Sequence, residues 1–332
     1  MSSSFDPSKY PELKNLLCSI DKIPDVSDIR PETVTEKVIE CNSNCPDPRL
    51  KTLLDNLTIH LHDFIRENNV TTEEWMATVH YLTDVGKKCT GSRQEFVLLS
   101  DIFGIAALVN SINNPSVNGS TVATLLGPFY TGEFHDIEEG GTIAPAEGPG
   151  EPLLVTGRIL NTSGEPIPNA AIETWEADAE GLYDVQYSTY SEPDHRGRFR
   201  SNDKGEYSFR CIVPIAYAIP DDGPVGDLLI KLGRHPYRPA HLHMKIEAPP
   251  VYETLVTALY PRGDLFSKSD AVFGVKTPLI VDFELIESDE EAKAKGFKKG
   301  PFRRLDYDFT LATKEESAQA KEKLRKSMAK KA

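Results

Sequence analysis

From Leu153 onward the chain is written in short runs of β-branched and aromatic residues, each closed by glycine, proline, asparagine or aspartate. LLVTGRIL gives way to NTSGEPIPNA, AIETWEA comes next, and FRSN, DKGEY and SFRCIV come later. Runs this short and this regularly interrupted fit strands, and a succession of them stacks as two sheets face to face. Asp203-Lys204-Gly205 predicts a hairpin turn, because glycine accepts the positive φ that a tight turn needs. The expected fold class is an all-β sandwich preceded by an α-helical N-terminal domain.

The helical part rests on a different period. Leu50, Leu53, Leu54, Leu57, Leu61, Phe64 and Ile65 recur at three and four positions, which predicts an amphipathic helix stopping at Asn68-Asn69. Thr71-Thr72-Glu73-Glu74 offers an N-cap for the next helix, with Trp75, Val79, Leu82 and Val85 along one face. Gln94 to Ile112 is apolar on nearly all sides and lacks proline, which predicts one helix buried between other elements. Asp101 interrupts it, and an ionisable residue in such a place is most often capped or turned to solvent. The glycine- and proline-rich GGTIAPAEGPGEP reads as a linker. The expected organisation is a helical region over 1–139, a linker over 140–152, a sandwich over 153–313 and a solvated Lys- and Ala-rich tail over 314–332.

Composition narrows the partners. A formal charge of -14 at pH 7 repels nucleic acid and anionic membrane at long range, so a small ligand is favoured. The cysteines, Cys18, Cys41, Cys45, Cys89 and Cys211, are odd in number and scattered, which argues for reduced thiols. Cys41 and Cys45 lack a second pair at zinc-site spacing. The opening MSSSFDPSKYPELKNLL has no basic stretch leading into an apolar one, and no run reaches transmembrane length, so a cytoplasmic protein is expected.

The chemistry concentrates in Arg238-Pro239-Ala240-His241-Leu242-His243-Met244-Lys245-Ile246. Its alternation reads as a strand, on which residues two apart share a face, so His241 and His243 present two imidazoles to one point. Such pairs also occur in strands that bind nothing. No carboxylate is adjacent to complete a two-histidine, one-carboxylate ferrous site, although a distant one could. The notable neighbours are Tyr183, after Gly181-Leu182, and Tyr217, in a proline-flanked loop. Taken singly, each is a packing tyrosine with one hydrogen bond. As ligands they would be hard anionic donors that favour ferric over ferrous iron, kept ionised far below a free pKa of about 10. Spacing alone reaches only the histidine pair.

The chain resembles the intradiol ring-cleavage dioxygenases from about Gln94 to Leu311. The resemblance is carried by Leu126-Gly127-Pro128-Phe129-Tyr130, Trp175-Glu176-Ala177-Asp178, Gly181-Leu182-Tyr183, Tyr217 with Pro220, and Arg238-Pro239-Ala240-His241-Leu242-His243. It implies one Fe(3+) per chain on Tyr183, Tyr217, His241 and His243. It also implies an aromatic diol or triol cleaved with O2 between its two hydroxylated carbons. Tyr217 would leave the metal and take a proton as substrate binds, and Arg238 would stabilise negative charge developing on the substrate.

Within the family the chain is more similar to the hydroxyquinol-cleaving members than to the catechol-cleaving ones. Asp184-Val185-Gln186-Tyr187, Ile219-Pro220-Asp221-Asp222-Gly223-Pro224-Val225-Gly226, Val272-Phe273-Gly274-Val275-Lys276 and Gly127-Pro128-Phe129 carry that preference. The implied substrate pocket is Leu98, Asp101, Leu125, Leu126, Gly127, Pro128, Phe129, Ile219, Pro220, Arg238 and Val272. Asp101 then becomes the acceptor for the third hydroxyl that catechol lacks. A glutamine common in catechol-cleaving members aligns with Ala258 here, so any help it gives is absent or supplied otherwise. The resemblance further implies a homodimer through the helical region and a bound phospholipid there. The rival readings are a catechol 1,2-dioxygenase, a zinc or copper hydrolase built on the two histidines, and a non-enzymatic β-sandwich binding module.

Overall fold

The structure is a computed structural model, and it describes residues 26–329 except 28, 92, 146, 147, 190 and 191. The opening segment with Cys18, and the last three residues of the tail, lie outside the described residues. Cys41, Cys45, Cys89 and Cys211 are free thiols. The chain divides into two compact units, Met1–His80 and Tyr81–Ala332.

The first unit contains α1 (Val34–Cys41) and α2 (Pro48–Asn68), and α3 (Thr72–Lys88) begins in it. Asp47 caps α2 by accepting from the amides of Arg49 and Leu50 at 2.8 and 3.0 Å, and left-handed Asn69 ends it. Thr71 and Glu74 form the expected capping box: the Glu74 amide donates to Thr71 Oγ1 at 3.2 Å and the Thr71 amide to Glu74 Oε2 at 2.9 Å. The apolar row on α2, Leu50 to Ile65, is 44% to 57% exposed, so the amphipathic pattern is present without a full cover among the described residues.

In the second unit the segment expected as one buried helix is two. α4 (Glu95–Ile102) and α5 (Ile105–Asn113) meet at a 78° bend. The break falls at Gly104, whose φ of +69° is left-handed and open only to glycine at little cost. Burial fails too, since Phe96, Val97, Phe103, Ile105, Leu108 and Val109 are exposed. Asp101 departs from its first reading in the other direction: it faces inward and is buried. Among the described residues no single helix is long and apolar enough to cross a membrane.

The sandwich comprises β1 (His135–Asp136), β2 (Pro152–Asn161), β3 (Ala171–Trp175), β4 (Arg196–Arg200), β5 (Glu206–Ile212), β6 (Tyr217–Ala218), β7 (Tyr237–Arg238), β8 (Leu242–Glu247), β9 (Leu255–Pro261), β10 (Ile280–Val281), β11 (Glu284–Ile286), β12 (Phe302–Asp306) and β13 (Phe309–Leu311). One sheet runs β1-β4-β3-β8-β9-β10; the other runs β11-β12-β2-β13, with β5 also on β2; β6 and β7 form a separate ribbon. The Asp203-Lys204-Gly205 turn is therefore no hairpin. Its local chemistry is right, with the Gly205 amide on the Asn202 carbonyl at 2.9 Å, but β4 and β5 belong to opposite sheets.

The core lies between the sheets, where Val155 and Ile159 of β2 and Tyr207, Phe209 and Cys211 of β5 meet Ile172 of β3 and Leu242, Met244 and Ile246 of β8. Period two along β8 sets the direction of the histidines. With Leu242, Met244 and Ile246 committed to the core, His243 projects from the other face, and so does the position of His241 just before the strand. The described residues of the unit also include the helices α6 (Pro224–Lys231), α7 (Asp289–Ala294) and α8 (Lys314–Ala329).

Candidate active site

On the outer face of β8, His241 and His243 are buried, and their Nε2 atoms stand 3.1 Å apart. Two phenols join them: Tyr183 Oη and Tyr217 Oη each lie 3.5 Å from His241 Nε2. Tyr217 arrives on the β6–β7 ribbon, where it pairs in register with Arg238; it sits in a short strand, not the loop the prolines suggested. Tyr183 follows Gly181, where a Cβ would stand 3.0 Å from Tyr217 Cβ, so the missing side chain lets the two tyrosine segments close. Beyond Tyr183 the chain is clamped: the Tyr183 amide donates to Gln186 Oε1 at 2.9 Å, and buried Asp184 takes Arg196 Nε at 2.6 Å.

Each imidazole is fixed differently. His241 Nδ1 donates to the Pro239 carbonyl at 2.7 Å, which leaves a lone pair on Nε2 facing the phenols. His243 is held by stacking, with the Trp175 ring 4.7 Å away at an interplanar angle of 6°. Trp175 is in register with His243 across β3 and β8 and is packed under Tyr130 and Phe134.

Burial, reinforced by the Arg238 guanidinium, lowers the basicity of His241, and burial with His241 as neighbour lowers that of His243 further. Both rings are neutral at pH 7, as metal ligands must be. Burial, then Tyr217, pushes the Tyr183 phenol well above its usual range. That phenol ionises only if a cation is supplied next to it.

The donor set fits a small, hard cation. Donors bound at roughly 2.1 Å to one ion stand about 3.0 to 3.4 Å apart at angles of about 90–110°, close to the separations here. Among the described residues no group of three or more His, Cys, Asp or Glu side chains could hold a metal. The phenols are thus the oxygen donors at hand, and two phenolates with two neutral imidazoles suit ferric iron better than zinc or copper.

Beside the donors opens a cavity of about 570 Å³, within the range of small-molecule sites and roomy enough for an aromatic ring, lined by Leu98, Pro128, Phe129, Ile219 and Pro220 among others. Phe129 belongs to both places: it lines the cavity and stacks on Tyr183 at 4.5 Å. Leu98 and Ile219 share one apolar cluster with Leu125 and Val272, which lie outside the cavity lining. Gly127, at φ +78°, brings its backbone to His243, where a Cβ would lie 3.6 Å from the ring. Leu126 is part-exposed and outside the cavity lining. Asp101 and Arg238 are buried. Burial, offset by Arg238, pushes the Asp101 carboxyl up to about 6. Ala258 lies opposite His243 across β8 and β9, wholly buried in the sandwich core.

A family model described as dioxygenase matches residues 125–313, and one described as catechol dioxygenase N terminus matches 47–121. An intradiol ring-cleavage dioxygenase, hqdA, of Aspergillus niger is 45% identical over 300 residues, covering 90% of this chain and 89% of its own length. The chain belongs to the intradiol ring-cleavage dioxygenases. This dioxygenase is also similar to a hydroxyquinol 1,2-dioxygenase of a Rhizobium species, 45% identical over 85% of this chain and 95% of that one. A solved hydroxyquinol 1,2-dioxygenase from Pseudomonas putida DLL-E4 matches with a TM-score of 0.78 at 37% identity, over 86% of this chain and 99% of that one. Enzymes of the family generally depend on ferric iron.

Asp270 is a residue of the site that sequence reasoning missed. Its carboxylate meets buried Arg238 at 3.2 Å, and its only local sign is the turn chemistry of an aspartate ahead of a glycine.

Proposed function

We propose that this dioxygenase cleaves hydroxyquinol between its vicinal hydroxyls, using one ferric ion per chain on Tyr183, Tyr217, His241 and His243. The product is 3-hydroxy-cis,cis-muconate or its keto tautomer maleylacetate. Asp101 carries the substrate reading. It is a carboxylate buried on α4 one turn from the cavity-lining Leu98 and within electrostatic reach of Arg238; that burial is costly, and a third ring hydroxyl reaching it would repay the cost with a hydrogen bond that catechol has no group to make. The likeness to hydroxyquinol-cleaving relatives supports the same choice.

Bound to these four side chains, ferric iron would supply Lewis acidity and draw electron density from the substrate ring. The chain's own groups do the rest. Phe129, Ile219 and Pro220 flank the ring and exclude water. Tyr217 Oη accepts a substrate proton, with Arg238 Nη1 3.4 Å away to steady the phenol. The Arg238 guanidinium then faces the negative charge that accumulates on substrate oxygen.

The test is the visible spectrum and the steady-state kinetics of the purified protein. A phenolate-to-ferric band is expected, with kcat/KM higher for hydroxyquinol than for catechol, and Tyr183→Phe is expected to lose both iron and colour. A preference for catechol would replace the substrate reading with the catechol 1,2-dioxygenase one. A colourless, iron-free but active preparation would remove the ferric reading. The exposed apolar row on α2 further supports a homodimer through the helical region, with phospholipid as a second occupant there; a cytoplasmic location fits the same reading.

A further inference from the structure

The structure assigns Asp270 a positioning role: its carboxylate, locked by the backbone of its own turn, aims the Arg238 guanidinium at the Tyr217 phenol and the His241 imidazole. The inference rests on the proposed ligand set. A guanidinium is a planar fork, so fixing one edge fixes where the other points. Arg238 spends its Nε and Nη2 on Asp270, at 3.2 Å to Oδ1 and 3.5 Å to Oδ2. The remaining Nη1 lies 3.4 Å from Tyr217 Oη and 3.1 Å from His241 Nε2. Both side chains of the pair are 3% exposed, so water offers no substitute orientation.

The carboxylate is itself held. Oδ1 accepts from the Val272 amide at 3.2 Å and Oδ2 from the Gly274 amide at 2.9 Å. The turn carrying those amides is anchored on two sides. The Ala271 amide donates to the Tyr237 carbonyl at 3.1 Å, next to Arg238 itself. Arg234 bridges the Ala271 carbonyl at 2.9 Å to the Ile102 carbonyl at the end of α4 at 2.6 Å. Gly274 leaves no slack: a Cβ there would stand 2.9 Å from Arg238 Nη2 and 3.1 Å from Asp270 Oδ2. Val272 of the same turn shares an apolar cluster with Leu98 and Ile219, two residues of the pocket wall. One short turn therefore sets the direction of the cation and backs part of the pocket wall. A carboxylate needed only to balance charge would not require two backbone donors and a glycine beside it.

The experiment uses the full-length protein with Asp270→Asn, Arg238→Lys, the double variant and Gly274→Ala, which crowds the guanidinium while keeping both charges. Asp270→Asn is expected to keep its iron while kcat falls roughly tenfold to a hundredfold, the usual cost of losing a group that orients a metal site, and KM moves less. The phenolate-to-ferric band is expected to shift in Asp270→Asn and in Gly274→Ala, because both disturb the contact at Tyr217 Oη. The double variant is expected to be no slower than Arg238→Lys alone, since Asp270 acts through Arg238. In iron-free protein the same cycle read by melting temperature is expected to be non-additive. Losses that multiply in the double variant, or a Gly274→Ala protein with parental kcat and band, overturn the inference; if Asp270→Asn fails to fold, Gly274→Ala decides alone. A parent protein without iron or colour overturns the ligand set and this inference with it, whereas a coloured, active parent with unaffected variants overturns the role of Asp270 only.

Discussion

Replacing Asp101 by asparagine should make the protein more stable and less selective at once, and both magnitudes can be worked out. Burial holds the carboxyl protonated, with Arg238 pulling the other way and Asp270 adding to the rise, from an ordinary 3.8 to about 6. The native state thus keeps a proton between those values that the unfolded chain has released, so stability falls as pH rises through that window and stays lower above it. At about 1.4 kcal/mol per pH unit, the cost at pH 8 is about 3 kcal/mol. Asparagine mimics the protonated form and removes that cost. In urea unfolding without substrate, the variant should gain up to about 3 kcal/mol at pH 8 and nothing at pH 4. A hydrogen bond to a charged group contributes about 1.5–3 kcal/mol. The variant's kcat/KM for hydroxyquinol should therefore fall roughly 10- to 100-fold, with catechol nearly unchanged. Equal losses on both substrates, or a stability difference flat from pH 4 to 8, would refute the reasoning.

Asp184→Asn should leave Arg196, wholly buried beside it, without its counter-charge; a loss of about 3–5 kcal/mol in urea unfolding is expected, with weaker iron retention because Tyr183 is the preceding residue. If α2 pairs with a second copy, Leu57→Glu in its apolar row should shift the mass measured by light scattering from dimer to monomer at equal concentration.

The legible parts were those in which chemistry and period reside in the same few residues. β8 could be read because Leu242, Met244 and Ile246 alternate with residues of another kind, and that alternation puts His241 and His243 on one face. α2 could be read with its stop for the same reason. Tyr183 could not be read from its surroundings, since its partner His241 is 58 residues away and a phenol beside a glycine has many ordinary uses. Only the resemblance supplied it. The turn at Gly205 was locally right and globally wrong, because turn chemistry fixes a reversal of direction but not which sheet the next strand joins. Gly104 was visible inside the apolar segment, yet composition suggested continuity where one left-handed residue bends the helix. Asp270 shows the same limit, since its bond to Arg238 spans 32 residues.

The ring stacked on His243 gives the protein an optical property. The chain has two tryptophans: Trp75, 54% exposed, and Trp175, fully buried. Light absorbed by Trp175 is released within contact distance of the proposed chromophore, where energy transfer to a coloured ferric centre is most efficient, whereas Trp75 emits into water. The two indoles therefore divide the emission spectrum between them, red-shifted light from Trp75 and short-wavelength light from Trp175. With iron on the proposed ligands, the second of these is expected to brighten as the metal is withdrawn, which would let the occupancy of the centre be followed without adding a dye.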